Sequence, residues 1–162
     1  DSRTDKTVKC KKGRTPISYA SSPICFTLSR CFEVGNPIGL LLNMTNLDPD
    51  ESDFEGKTPL MYACESWSNF EISALLETGK VDVNAKDKRG WTPMWYILKG
   101  GNFLSGGDVL KSVRQLLASK AMDPLVIVDG WKMLDFAEEK FGNETGITAL
   151  LSSYVEEWIE CC

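Results

Sequence analysis

Between residues 58 and 79 the apolar positions fall at helical spacing. Leu60, Tyr62 and Ala63 begin one apolar face, and Ile72, Leu75 and Leu76 form another. Thr58 can cap the first helix, because its hydroxyl can accept from an N–H that has no partner inside the helix. Pro59 then takes the first helical position, where a missing N–H costs nothing. Gly79 ends the second helix. The pattern predicts one unit of turn, helix, helix and return loop.

The unit recurs. The stretch Leu47-Asp48-Pro49-Asp50-Glu51-Ser52-Asp53-Phe54-Glu55-Gly56-Lys57-Thr58-Pro59-Leu60 aligns without a gap on Val81-Asp82-Val83-Asn84-Ala85-Lys86-Asp87-Lys88-Arg89-Gly90-Trp91-Thr92-Pro93-Met94, with the glycines 34 residues apart. A weaker copy, with Val128-Asp129-Gly130-Trp131-Lys132-Met133-Leu134, places its glycine 40 residues further on. In each copy Asp-x-x-Gly, or its remnant, closes a tight turn. The residues Asp53-Phe54-Glu55-Gly56-Lys57-Thr58-Pro59-Leu60-Met61-Tyr62-Ala63, Ala74-Leu75-Leu76-Glu77-Thr78-Gly79 and Val81-Asp82-Val83-Asn84-Ala85-Lys86-Asp87 resemble the ankyrin repeat. The extra residue in Gly79-Lys80-Val81-Asp82-Val83-Asn84 is similar to fungal ankyrin arrays. The resemblance implies an all-α solenoid of about four helix-turn-helix units with irregular capping repeats. It also implies a departure: Met61 and Trp95 stand where the family has a histidine, so the side-chain hydrogen bond that histidine gives the turn should be missing.

The ends are less regular. Gly13-Arg14-Thr15-Pro16-Ile17-Ser18-Tyr19-Ala20 matches the turn and first helix, but Pro16 lies 43 residues before Pro59; Pro23, in Ser22-Pro23-Ile24, lies 36 before it. Spacing favours the second register. Residues 1–21 are then an N-terminal arm or partial cap, and residues 22–160 a repeat domain with units near 22–52, 53–86, 87–128 and 129–160. In the last unit Trp131, Met133, Leu134, Phe136, Ala137 and Phe141 suit a first helix. Ile147, Leu150, Leu151, Tyr154, Val155 and Trp158 suit a second, with Glu156, Glu157 and Glu160 toward solvent. The glycine-rich Gly100–Gly107 stretch lengthens the link inside one unit; with no GK[ST] after it, it is no phosphate cradle.

Composition narrows the chemistry. Eighteen basic against 23 acidic residues give a net charge of −5, which argues against a nucleic-acid partner; the basic run around Lys9, Lys11, Lys12 and Arg14 reads as a solvated arm. No apolar run is long enough for a membrane span. The chain has no histidine, which removes Ser-His and Cys-His nucleophiles, and an enzymatic role is not expected. The acidic run from Asp48 to Glu55 lacks the ordered ligand spacing of an EF-hand loop. No metal or cofactor is expected. Of six cysteines, Cys64 reads as a buried free thiol, and Cys10, Cys25, Cys31, Cys161 and Cys162 are disulfide candidates. Local pairing of Cys10 with Cys25 or Cys31 is the simplest arrangement. Cys161-Cys162 also has the form of a double-cysteine prenylation signal, though nothing else fits that reading. Asn43-Met44-Thr45 and Asn143-Glu144-Thr145 are glycosylation sequons. These sequons, the cysteine count and the absence of an initial methionine point to secretion. A cytoplasmic protein with reduced thiols is the alternative.

The resemblance implies a protein–protein interaction module that binds a partner protein on its concave surface. The matching positions are Phe54, Glu55, Lys57, Glu65 and Ser66 in one unit, Lys88, Arg89, Trp91 and Lys99 (with Gly100) in the next, and Trp131 (with Lys132) in the last. Phe54, Arg89, Trp91 and Trp131 form the expected stripe, unless the aromatic rings pack on neighbouring turns instead. Trp67, Trp95 and Trp158 read as packing residues. The fungal resemblance and the secretion signals together suggest an effector that engages a host protein as a monomer. An intracellular adaptor or an oligomerising structural protein is the alternative.

Overall fold

A computed structural model describes residues 9–21, 37–44, 47–100, 108–142 and 146–161. The elements in chain order are α1 (Pro16–Ala20), α2 (Pro37–Met44), α3 (Pro59–Glu65), α4 (Asn69–Glu77), α5 (Pro93–Lys99), α6 (Val109–Ala118), β1 (Ile127–Val128), β2 (Trp131–Lys132), α7 (Met133–Phe141) and α8 (Ile147–Cys161). They stack in two layers. Helices α1, α3, α5 and α7 contact one another in sequence as an inner layer, while α2, α4, α6 and α8 do the same outside. Each inner helix also packs on the outer helix that follows it. This is an all-α solenoid, its only strands among the described residues being the β1–β2 hairpin. No helix among them is long and apolar enough to cross a membrane.

The core lies between the layers. Leu60, Met61, Ala63 and Cys64 of α3 and Met94, Trp95, Ile97 and Leu98 of α5 are buried against Ile72 and Leu75 of α4 and Val113 and Leu116 of α6. Trp67 crosses between units, donating from Nε1 to the Ile97 carbonyl at 3.0 Å. Trp67 and Trp95 are packing residues as expected, and Cys64 is a buried free thiol. Burial pushes that thiol up from its ordinary value of 9.0.

The turns repeat closely. The N–H groups of Cys10, Asp53 and Asp87 donate to the carbonyls of Arg14, Lys57 and Trp91 at 3.1, 3.0 and 3.1 Å. Gly13, Gly56 and Gly90 close the tips at φ of +77°, +79° and +80°, a region that only glycine enters without strain. Neighbouring turns are stitched edge to edge: Phe54 N–H donates to Lys12 O, and Lys88 N–H to Glu55 O. The Thr-Pro starts follow. Thr15 and Thr58 cap α1 and α3 through their hydroxyls, whereas Thr92 holds the cap position of α5 without a side-chain bond.

A complete turn and first helix of the repeating pattern stand at Cys10–Ala20. The register that spacing favours, beginning at Ser22-Pro23, falls on residues outside the described ones. One sequence expectation changes. Trp131 is not in the first helix of the last unit. It pairs with Val128 in the hairpin β1–β2, and α7 begins at Met133.

Candidate interaction face

The inner helices and the turns that precede them share one face, and its chemistry starts inside each turn. The Asp53 Oδ1 accepts from the N–H groups of Glu55 and Lys57, both at 2.9 Å, while Oδ2 accepts from the Tyr62 hydroxyl at 2.7 Å. Asp87 repeats this, with Arg89 and Trp91 N–H on Oδ1 and Tyr96 on Oδ2 at 2.8 Å. The missing histidine thus does not leave the turn without a side-chain bond, since a tyrosine one helical turn into the inner helix supplies it. Met61 also accepts from Thr58 N–H through its sulfur at 3.4 Å. In the first unit Cys10 occupies the aspartate position: its sulfur accepts from Lys12 N–H at 3.3 Å. In the last unit both partners become apolar, with Ile127 three residues before the turn glycine and Phe136 six after it.

These bonds set the titration of the face. Burial, then the Asp53 and Asp87 carboxylates, push Tyr62 and Tyr96 well above the ordinary phenol range. Burial alone would raise Asp87; the bonds from Tyr96, Trp91 N–H and Arg89 outweigh it and hold the carboxyl below its usual 3.8. Burial lowers Lys57 against the opposing pull of Glu65, which it meets at 2.6 Å.

Above the turns runs a ladder of alternating cations and rings. Arg14 stands 4.6 Å from the Tyr62 centroid, and Lys57 stands 4.2 Å from Tyr62 and 4.3 Å from Tyr96. Arg89 lies 4.1 Å over Trp91, which also receives Lys99 at 4.2 Å. Lys99 continues to Phe136 at 5.8 Å and pairs with Asp129 at 2.7 Å. Each contact joins one unit to itself or to the next.

The expected binding residues divide on this face. Lys57, Glu65, Arg89, Trp91 and Lys99 are brought together in the ladder. Trp91 is half-buried, edge-on to Tyr96 with the centroids 5.5 Å apart. Phe54 is 60% exposed. It lies over the preceding turn, so close to Gly13 that a Cβ there would meet its ring at 2.5 Å. Glu55 and Lys88 are exposed at the turn tips. Ser66 is buried, its hydroxyl donating to the Tyr62 and Ala63 carbonyls. Trp131 is 40% exposed and edge-on to Phe136. Sequence reasoning passed over Arg14, Tyr62, Tyr96 and Phe136. The signal was present, since Tyr19, Tyr62, Tyr96 and Phe136 each follow their turn glycine by six residues.

Among the other expected sites, Cys10 and Cys161 are free thiols. Cys25, Cys31, Cys162 and the sequon residue Asn143 lie outside the described residues, and Asn43 lies in α2. No curated protein matches the chain. A family model of ankyrin repeats, in three copies, matches residues 28–123. Such repeats are protein–protein interaction modules, typically without enzymatic activity. The two-layer stack, the stitched Asp-x-x-Gly turns and this match together establish that the chain belongs to the ankyrin-repeat family.

Proposed function

We propose that the protein acts by holding a partner protein against the face made by its turns and inner helices. The observation that carries this reading is the continuous ladder from Arg14 to Phe136. Arginine, tyrosine and tryptophan dominate interface energetics, at about 2 kcal/mol or more for a hot-spot side chain. Here they are pre-positioned by bonds within the turns, which lowers the entropy lost on binding. Phe54 and Trp131 flank the ladder as exposed apolar contacts. The test is affinity capture with wild type, Phe54→Ala and Trp91→Ala, followed by hydrogen-exchange footprinting of the captured complex. Protection of the turns and inner helices, with at least tenfold weaker capture by a folded variant, is the expected result. A footprint confined to α4, α6 and α8 would remove the reading.

The finer proposal is a secreted fungal effector that acts on a host protein as a monomer. It is supported by the two sequons and the six cysteines. The free thiols of Cys10, Cys64 and Cys161 favour the second reading, an intracellular adaptor. Intact mass of the natively produced chain, before and after reduction and deglycosylation, separates the two; an unglycosylated chain with no mass change would sink secretion.

A further inference from the structure

The N-terminal end of the ladder differs from the rest in how its cations are partnered. Lys57, Arg89 and Lys99 each hold a carboxylate of this chain. Lys11, Lys12 and Arg14 form no ion pair among the described residues, and all three line a groove of about 590 Å³ beside Tyr62. Two carboxylates share the wall, Asp53 and Glu55. Asp53 is consumed by its own turn and by Tyr62, and Glu55 stands exposed at the turn tip. Arg14 lies over the Tyr62 ring and lines the groove, so its guanidinium is held in place by the ring and not by a carboxylate among the described residues.

The same geometry selects among anions. Single-stranded nucleic acid binds such grooves by stacking bases on open aromatic faces. Here cations already stand over the rings: Arg14 and Lys57 over Tyr62, Lys57 and Arg89 over Tyr96. What remains is a set of N–H donors spaced along an open groove. Carboxylates match such donors, and arginine binds them with two bonds at once. The chain as a whole carries −5, so this positive end is local, and an acidic segment is attracted here and repelled elsewhere.

We propose that the groove lined by Lys11, Lys12 and Arg14 takes a glutamate- or aspartate-rich segment of the partner protein. This rests on the reading of the inner face as a protein-binding surface. Fluorescence polarisation of the full chain, with a labelled glutamate-rich peptide, its glutamine counterpart and an oligothymidylate of similar length, tests it. The glutamate peptide should bind, the glutamine peptide should not, and affinity should fall as salt is raised. Arg14→Gln should weaken binding about tenfold. The double variant Lys11→Gln/Lys12→Gln, at exposed positions that cannot unfold the chain, should weaken it too, and Lys111→Gln on the outer layer should change nothing. Equal binding of both peptides, preference for oligothymidylate, or indifference to both groove variants would overturn the proposal. A captured partner that is lost on Phe54→Ala but indifferent to the groove variants would overturn it alone, leaving the protein-binding reading in place. Indifference to Phe54, Trp91 and groove variants alike would remove both.

Discussion

The carboxylate of Asp87 serves two elements at once. One oxygen closes the turn through the Arg89 and Trp91 N–H groups, and the other takes the Tyr96 hydroxyl from α5. Removing that hydroxyl leaves the buried oxygen with only the longer bond from Arg89 Nε, at 3.2 Å. Tyr96→Phe should therefore cost about 1–2 kcal/mol, read as a lower urea midpoint with unchanged slope. The pH dependence has a definite sign. The folded-state carboxyl lies below 3.8, so its contribution is complete above that value and is lost as pH falls through the lower folded value. Acid titration of stability should be shallower in Tyr96→Phe than in wild type over that range, and an identical slope would show that Tyr96 does not hold the carboxylate. Cys10 gives the pattern a reactive form. The Tyr19 hydroxyl, then Lys12 N–H, lower its thiol from 9.0, while burial raises Cys64. Alkylation near neutral pH, mapped by mass spectrometry, should label Cys10 well before Cys64, and Tyr19→Phe should slow it. The aspartate–tyrosine pairs are invisible to helical periodicity for a physical reason, although their spacing from the turn glycine repeats. Partners nine residues apart face each other only once the turn has folded back on its helix, and helical periodicity alone reads Tyr62 and Tyr96 as core.

At the level of elements, legibility followed local chemistry. Helices α3 and α5 were readable because Thr-Pro fixes a start and the apolar spacing fixes a face. In the first unit the turn at Gly13 and the capping Thr15 carry the same local signal, because the backbone at a turn tip is constrained. Trp131 was misplaced because its apolar ring was counted into the helix, although α1, α3, α5 and α7 all begin three residues after their turn glycine. The stitched turns also make two similar glycines unequal. Gly56 and Gly90 share a left-handed backbone, so alanine is strained at either, by about 1 kcal/mol. A Cβ on Gly56 would in addition lie 3.1 Å from Asp87 Cα, whereas one on Gly90 meets nothing within 4 Å. Gly56→Ala should thus lower the melting temperature more than Gly90→Ala. Equal losses would mean that the turns do not pack edge to edge.

Across the described stack the main helix contacts join each unit to its neighbours, so stability rests on nearest-neighbour interfaces along one continuous core. The family match at 28–123 omits the first turn with α1 and everything from β1 onward, yet the stack continues through both. The end units preserve the architecture while losing the pairs that define the motif: cysteine replaces aspartate at one end, and isoleucine with phenylalanine replaces aspartate with tyrosine at the other. This asymmetry predicts how the array comes apart. Leu151 is buried in α8, which packs on α7 and α6 at the terminus. Ile97 is buried in α5, which packs on α3, α6 and α7 in the middle. Truncation to alanine should cost about 2–5 kcal/mol at either position. Native-state hydrogen exchange should separate them. Leu151→Ala should speed exchange in α7 and α8 while α3 and α4 keep their protection, because the lost interface lies at one end. Ile97→Ala should speed exchange on both sides, since α5 packs on α3 in the unit before it and on α7 in the unit after it. Uniform acceleration in both variants would instead mean that the units unfold as a single cooperative body.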